Sequence, residues 1–415
     1  MQLLVANTFN MELLRLKKVE KTVGGEVQIT GSKSETNRLL ILKQFFPNLT
    51  IENTSNSDDS VLMTNALSST SEEINIGHAG TAMRFLTSYF AVKENSSIIL
   101  TGSPRMKERP IKILVDALIS LGADIEYVEN EGFPPLKITG KKLTESYVEI
   151  EGNVSSQYIS SLLLIGATLK NGLQLKFKGE ITSVPYIKMT LQLLADLGIK
   201  YTWESDLISV KPKPTVENNT IVVESDWSSA SYYYSYCALS PNSKLTLSSY
   251  KQTSLQGDSC LVDIYKKLGV ETTFEGNSII LSNQQLATSN QQPLNLDLKS
   301  APDIAQTIAV TCFGLGIECY LTGLHTLKIK ETDRLVALKT EIEKLGGEVI
   351  ITNETLHLKP STTILSDIAI GTYHDHRMAM AFAPLALKVP INIEDADVVS
   401  KSYPSFWEDF DKITS

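Results

Sequence analysis

Four cysteines are too few for a disulfide framework, and Cys237, Cys260, Cys312 and Cys319 show no CxxC spacing of a zinc site. Buried free thiols in a reducing cytoplasm are the plain reading. Long apolar runs are scarce as well. The stretch from Leu162 to Ala167 falls far short of the ~20 residues that a membrane span needs. A secretory leader is not expected, because Arg15, Lys17 and Lys18 follow the first apolar residues instead of preceding them. Basic residues are in the minority, 38 Lys and Arg against 47 Asp and Glu, for a net charge of -9. That balance argues against general binding of nucleic acid or of an anionic membrane surface. An anionic substrate would need positive charge gathered locally. The expectation is a soluble cytoplasmic protein, and a monomer.

What is present is ordinary globular material. With 42% hydrophobic and 20% charged residues over 415 positions, the chain can build two or three domains. A weak internal repeat runs through it. "DALISLGADIEY", "LQLLADLGIKYTW", "LVDIYKKLGVETTF" and "LKTEIEKLGGEVII" each read as a helix closed by Leu-Gly and followed by a strand. Their leucines, Leu121, Leu197, Leu268 and Leu345, lie 76, 71 and 77 residues apart. Two looser copies bracket them, a helix from Asn37 to Phe46 and another from Arg377 to Leu387. Six units of this size imply a duplicated α/β architecture, three and three, and not a solenoid. The second half begins near Glu224, after the Pro- and Asn-rich stretch from Lys211 to Asn219.

Arginines cluster at the starts of the expected helices. Arg38 follows Gly31-Ser32-Lys33-Ser34, and Arg84 follows Gly77-His78-Ala79-Gly80. Arg109 precedes Pro110, a suitable first helical residue. Arg334 follows Lys328, Lys330 and Glu331, and Arg377 follows His374-Asp375-His376. Cations there oppose the helix dipole unless an anion faces them. Repeated five times, the pattern points to a shared anionic ligand, since the guanidinium fork matches carboxylate and phosphate. The plainer alternative for any one of them is a solvated charged helix start.

Other readings compete. Gly31 to Ser34 lacks P-loop spacing. His374 and His376 alternate at a helix start, with no third ligand, which disfavours a metal site. Ser155 and Ser156 read as a cap pair, with Gln157 as a further donor. Asp226 to Ser231 reads as a structural cap. Asp303 before an apolar helix is either a cap or a general base, and two carboxylates among cations, Asp303 and Glu331, can be tuned apart as acid and base.

"GSKSETNR", "GHAGTAMR", "TGSPRMKERPI", "SSQYISSLL", "SLQGD", "APDIAQT", "IKETDRL" and "YHDHRMAM" occur in this order, followed by Lys401-Ser402-Tyr403-Pro404. Together they closely resemble the 5-enolpyruvylshikimate-3-phosphate synthase (3-phosphoshikimate 1-carboxyvinyltransferase) family over nearly the whole chain. The resemblance implies an α/β (α+β type) fold of two similar domains, each of three βαβαββ-like repeats, with the active site in the interdomain cleft. The first domain would span residues 31–223, and the second 1–30 plus 224–415.

It further implies transfer of the enolpyruvyl group of phosphoenolpyruvate to the 5-hydroxyl of shikimate 3-phosphate, on the shikimate pathway to chorismate. Shikimate 3-phosphate would meet Lys33, Ser34, Arg38, Ser155, Ser156, Gln157, Ser183, Asp303 and Lys330. Phosphoenolpyruvate would meet Lys33, Gly80, Arg109, Gln157, Arg334, Arg377 and Lys401. Asp303 would take the hydroxyl proton and Glu331 would protonate the methylene carbon, with Lys33, Lys330 and His376 assisting. Neither a metal nor an organic cofactor is implied.

Three departures stand against the family pattern. His78 replaces Asn. Phe85 replaces Pro, and its bulk bears on the phosphoenolpyruvate pocket. His325-Thr326-Leu327-Lys328 replaces Asn-Trp-Arg. The alternatives are a UDP-N-acetylglucosamine enolpyruvyl transferase, whose reactive Cys has no counterpart in Gly102 to Pro110, and a non-catalytic anion-binding relative.

Overall fold

A computed structural model describes residues 13–153, 155–181, 184–283 and 292–415. The chain forms two compact units. The first comprises Thr30–Asp226 with Thr253–Gly257, and the second the chain up to Ile29, Trp227–Gln252 and Asp258–Ser415.

In chain order, strands β1 (Leu13–Leu16) and β2 (Gly24–Val27) open the second unit. The first unit then runs α1 (Lys33–Phe45), β3 (Leu49–Glu52) and α2 (Asp58–Ser68). Next come β4 (Glu73–Asn75), α3 (Gly80–Val92), β5 (Ser97–Thr101), the short α4 (Pro104–Lys107), α5 (Lys112–Ser120), β6 (Asp124–Tyr127) and β7 (Leu136–Thr139). A second run repeats it: β8 (Tyr147–Glu151), α6 (Ser156–Gly166), β9 (Leu173–Lys178), α7 (Val184–Asp196), β10 (Tyr201–Glu204) and β11 (Leu207–Val210). Strand β12 (Asn219–Val222) closes this unit by pairing in parallel with β3.

The second unit continues with α8 (Trp227–Leu239), β13 (Lys244–Ser248), α9 (Leu261–Lys266), β14 (Val270–Glu275) and β15 (Ser278–Asn283). Then come β16 (Leu294–Asp297), α10 (Ala305–Leu315), β17 (Cys319–Thr322), α11 (Arg334–Lys344), β18 (Val349–Ile351) and β19 (Leu356–Leu358). Last are β20 (Ile368–Ile370), α12 (His376–Phe382), β21 (Ile391–Glu394) and α13 (Phe406–Thr414).

Four sheets share one topology, β4-β5-β7-β6, β8-β9-β11-β10, β2-β13-β15-β14 and β16-β17-β19-β18. In each, the first two strands are parallel and the other pairs are antiparallel. The pairs β4–β5, β8–β9 and β16–β17 are joined through a helix, whereas the chain between β2 and β13 runs through the first unit and then α8. This is the βαβαββ unit that the resemblance implies. The remaining two sheets are smaller among the described residues: β12 with β3, and β1-β21-β20.

The repeat in the sequence is the second helix of each full unit, α5, α7, α9 and α11. Its glycines, Gly122, Gly198, Gly269 and Gly346, all have positive φ, between 69° and 101°, a conformation that an L side chain resists at a helix end. The two looser copies differ in kind. Helices α1 and α12 occupy the first-helix position of the smaller sheets, and α2 and α13 take the second. The chain thus contains six repeats, and the two outer sequence matches fall one helix out of frame with the other four.

Each unit has its own core. Strand alternation supplies one side of it: in β8 Val148 and Ile150 are buried between exposed Tyr147, Glu149 and Glu151. Helix α6 is buried nearly all round, which fits its central place in the first unit. Helix α8 is equally buried but carries Tyr232, Tyr233, Tyr234 and Tyr236. Two of these hydroxyls are matched inside the core, Tyr233 with Tyr403 at 2.7 Å and Tyr234 with Thr272 at 2.8 Å. A buried hydroxyl without such a partner would be costly. Among the described residues no helix is long and apolar enough to cross a membrane.

Candidate active site

In the second unit, the start of α11 is built by its own sequence. Asp333 is the N-cap, and its carboxylate accepts from the N–H groups of Leu335 and Val336. Leu335, Leu338, Ile342 and Leu345 anchor one face in the core. Arg334 is thereby held at the first helical position, and it is 2% exposed.

Its guanidinium is surrounded by carboxylates. Nε donates to Asp375 Oδ2 at 2.6 Å, Nη1 to Asp303 Oδ1 at 2.9 Å and Nη2 to Glu331 Oε2 at 2.8 Å. Asp375 is fully buried and caps α12 through the N–H of Arg377. Burial works against the charge of Arg334, but Asp375, Glu331 and Asp303 raise its pKa above the usual value.

Asp303 sits in the short 3-10 turn Pro302–Ile304 ahead of α10. Besides Arg334 it faces Lys330 Nζ at 3.2 Å and Arg377 Nη2 at 3.6 Å. Burial alone would push its pKa up. Lys330, Arg377 and Arg334 outweigh that and hold it well below the usual carboxylate value. Arg377 also donates to the Asp303 carbonyl at 3.2 Å and to Ser228 Oγ at 3.3 Å, and Ser228 in turn donates to buried Asp258. Lys401 Nζ donates to the carbonyl of His374 at 2.7 Å. His376 is buried at the start of α12. Thus Asp303, Lys330, Glu331, Arg334 and Arg377 form one cluster, with Lys401 and His376 tied to the same turn.

In the first unit the candidates divide differently. Arg38 is 2% exposed. It donates to Thr190 Oγ1 at 2.7 Å, Ser160 Oγ at 2.9 Å, and the carbonyls of Ser34 at 2.6 Å and Tyr186 at 3.4 Å. Its guanidinium lies 5.3 Å from the Phe85 ring centroid and 6.0 Å from that of Tyr186. Burial lowers its pKa to about 10, which still leaves it charged at neutral pH. Lys33 Nζ is 3.8 Å from Asp59. Ser155 caps α6, Ser156 follows it, and Gln157 Nε2 donates to Thr81 Oγ1 at 3.2 Å, joining the starts of α6 and α3. Arg109 lies close over Gly80, where an added Cβ would come within 2.5 Å of Nη1 and displace the guanidinium. Ser183 lies outside the described residues.

Several expectations are corrected. Arg38 and Arg84 lie in the second turns of their helices, because α1 begins at Lys33 and α3 at Gly80. Arg84 is turned inward, donating to the carbonyls of Gly80 at 3.1 Å and Pro110 at 3.3 Å. Pro110 does not start a helix; α5 begins at Lys112, and Pro104 takes the first position of α4. Phe85 packs under Arg38 in the core. Ser228 is more than part of a structural cap, since its hydroxyl meets Arg377. Among the described residues no group of His, Cys, Asp or Glu is arranged to hold a metal ion.

A family model described as EPSP synthase (3-phosphoshikimate 1-carboxyvinyltransferase) matches residues 49–410. The chain belongs to the EPSP synthase family. A 3-phosphoshikimate 1-carboxyvinyltransferase of Bacteroides fragilis is 47% identical, over 93% of this chain and 94% of the relative. One from Haemophilus influenzae is 35% identical over 97% of this chain and 99% of the relative. A solved EPSP synthase from Acinetobacter baumannii has the same fold, with a TM-score of 0.81 at 19% identity over 97% of this chain and 98% of that one.

For a member of the EPSP synthase family, the residues that sequence reasoning missed are informative. Nothing in the sequence marks Thr190 as a partner of Arg38 from 152 positions away, and Ser160, although inside the "SSQYISSLL" motif, carries no sign that it meets Arg38 across 122 positions. Asp258 did carry a signal, since it ends the "SLQGD" motif. Asp375 was visible too, but its partner Arg334 is 41 positions away.

Proposed function

We infer that the chain is a 3-phosphoshikimate 1-carboxyvinyltransferase. It moves the enolpyruvyl group of phosphoenolpyruvate onto the 5-hydroxyl of shikimate 3-phosphate and releases phosphate. Family membership supports the reaction. The observation that supports the residue roles is the cluster on Arg334: two partly accessible carboxylates, Asp303 and Glu331, among Lys330, Arg334 and Arg377. Binding alone does not call for paired carboxylates among cations.

The proposed roles follow the chemistry. The hydroxyl oxygen attacks C2 of phosphoenolpyruvate as C3 gains a proton. The resulting tetrahedral species loses a proton from C3 and expels phosphate, which restores the double bond. Asp303 takes the hydroxyl proton and Glu331 supplies the proton to C3. An ionised Asp303 held by three cations is a weak base. The phosphate and carboxylate groups of the substrates compete for those cations, so filling the site raises its proton affinity. The same competition frees Glu331 from Arg334.

Arg334, Arg377, Arg109, Lys401, Lys33, Gln157 and the Gly80 backbone are proposed for phosphoenolpyruvate. Lys33, Ser34, Arg38, Ser155, Ser156, Gln157, Ser183 and Lys330 are proposed for shikimate 3-phosphate. His376 is proposed to assist. In this reading the two compact units are the two enolpyruvyl-transferase domains, and the protein is cytoplasmic and monomeric.

The test is phosphate release from phosphoenolpyruvate. Release with shikimate 3-phosphate is expected. Release only with UDP-N-acetylglucosamine would assign the chain to the sister activity, and binding without release would make it a non-catalytic relative.

A further inference from the structure

We propose that Glu341 and Tyr373 are positioning residues for the phosphoenolpyruvate contacts, acting by clamping the turn Gly371–Asp375 onto α11. The inference rests on the transferase reading, in which Arg377 and Lys401 hold that substrate.

Glu341 lies seven residues after Arg334, two turns along the same face of α11. Both side chains are buried, although the middle of an amphipathic helix has no packing use for a carboxylate. Glu341 is saturated by partners. Oε1 accepts from Tyr373 OH at 2.6 Å, and Oε2 from the N–H of Gly371 at 3.1 Å. Lys344 Nζ reaches both oxygens at 2.9 Å. Arg334 grips the other end of the same turn through Asp375. One helix face therefore holds both ends of a five-residue turn.

The turn needs holding. Tyr373 and His374 are consecutive non-glycine residues in the left-handed region, with φ of 55° and 56°. Such residues persist only where surrounding contacts over-determine them. The turn aims the groups attached to it. Asp375 caps α12 and so sets Arg377 and His376, while the His374 carbonyl receives Lys401. Burial and then Glu341 push the Tyr373 hydroxyl up to about 12, so it remains a donor at neutral pH.

Tyr373→Phe removes the clamp bond and keeps the ring, which is 40% exposed and contributes little to the core. It should raise the KM for phosphoenolpyruvate about fivefold, as expected for one lost hydrogen bond. The KM for shikimate 3-phosphate should stay unchanged and the thermal midpoint should move by less than about 2 °C. Glu341→Ala should give a larger rise in the same constant. Glu341→Gln, whose carbonyl still accepts from Gly371, should recover part of it. If Tyr373→Phe and Glu341→Gln both stay within about twofold of the parent in that KM, a change near the noise of such ratios, the proposal is overturned. It is also overturned if both substrate constants and the midpoint worsen together in every variant, since that is a purely structural effect. A parent protein that releases no phosphate would instead count against the transferase reading. The same comparison is then read in the dissociation constant for phosphoenolpyruvate, and absence of all binding would overturn both.

Discussion

Arg38 and Arg334 are buried to the same extent, 2% exposed each, yet their surroundings are opposite. Arg38 is met by hydroxyls, carbonyls and two rings, and burial lowers its pKa to about 10. Arg334 is met by three carboxylates that hold its pKa up. Arg38 has neutral oxygens as its hydrogen-bond partners, with buried Glu35 acting on it only through its charge, an arrangement that suits holding a phosphorylated ligand. A cation among carboxylates is part of a nearly balanced cluster, where an incoming anion redistributes partners and shifts proton affinities. In the proposed function the first arrangement serves binding and the second serves proton transfer.

The largest effect expected from breaking this contrast is on turnover. Asp303→Asn and Glu331→Gln should each lower kcat by about 10²–10⁴, the usual range for a lost general acid or base, with substrate binding kept. Steady-state phosphate release and calorimetric binding check this, and a near-parental kcat in either variant removes that residue from the mechanism.

Stability comes next. Arg334→Met leaves buried Asp375 without its cation and should destabilise the second unit by about 3–5 kcal/mol. Arg38→Met should cost less than Arg334→Met, because the hydrogen bonds of Arg38 go to neutral oxygens and buried Glu35 is felt only through its charge. Thr190 still donates to Ser160 at 2.9 Å and to the Tyr186 carbonyl at 2.9 Å. Urea denaturation of the two variants measures the difference; equal losses would erase the contrast. Arg38→Met should nonetheless weaken shikimate 3-phosphate binding.

A pH experiment sharpens the point further. The folded pKa of Asp303 lies below its unfolded value, so its stabilising contribution is present above the usual carboxylate range and is lost as pH falls through the depressed value. Stability of the parent should decline more steeply below about pH 4 than that of Asp303→Asn. Parallel curves would show that Asp303 is not held as described. The smallest effect is at the cap: Asp333→Ala should cost about 1 kcal/mol with little change in KM.

Much of this was legible in sequence. The four Leu-Gly helix ends are local signals, and the structure carries each of them. The ordered motifs led to the family and so to the reaction. Less was legible about how the arginines are used. Five looked alike as residues beside helix starts. In the structure Arg84 is spent on backbone carbonyls, Arg109 packs over Gly80, and Arg38 sits a turn further into its helix than expected. Glu341 gave no signal, because a Glu inside a Lys- and Glu-rich helix reads as surface, and Tyr373, although it opens the "YHDHRMAM" motif, showed nothing of its bond to Glu341.

The sequence by itself determined the repeats, the two halves, the motifs and the family. These rest on periodicity and backbone preference, which depend on neighbours a few residues apart. Only the tertiary structure decided which cation meets which oxygen. Asp303 and Asp375 reach Arg334 from 31 and 41 positions away, and a charge takes its pKa and its chemical use from such partners.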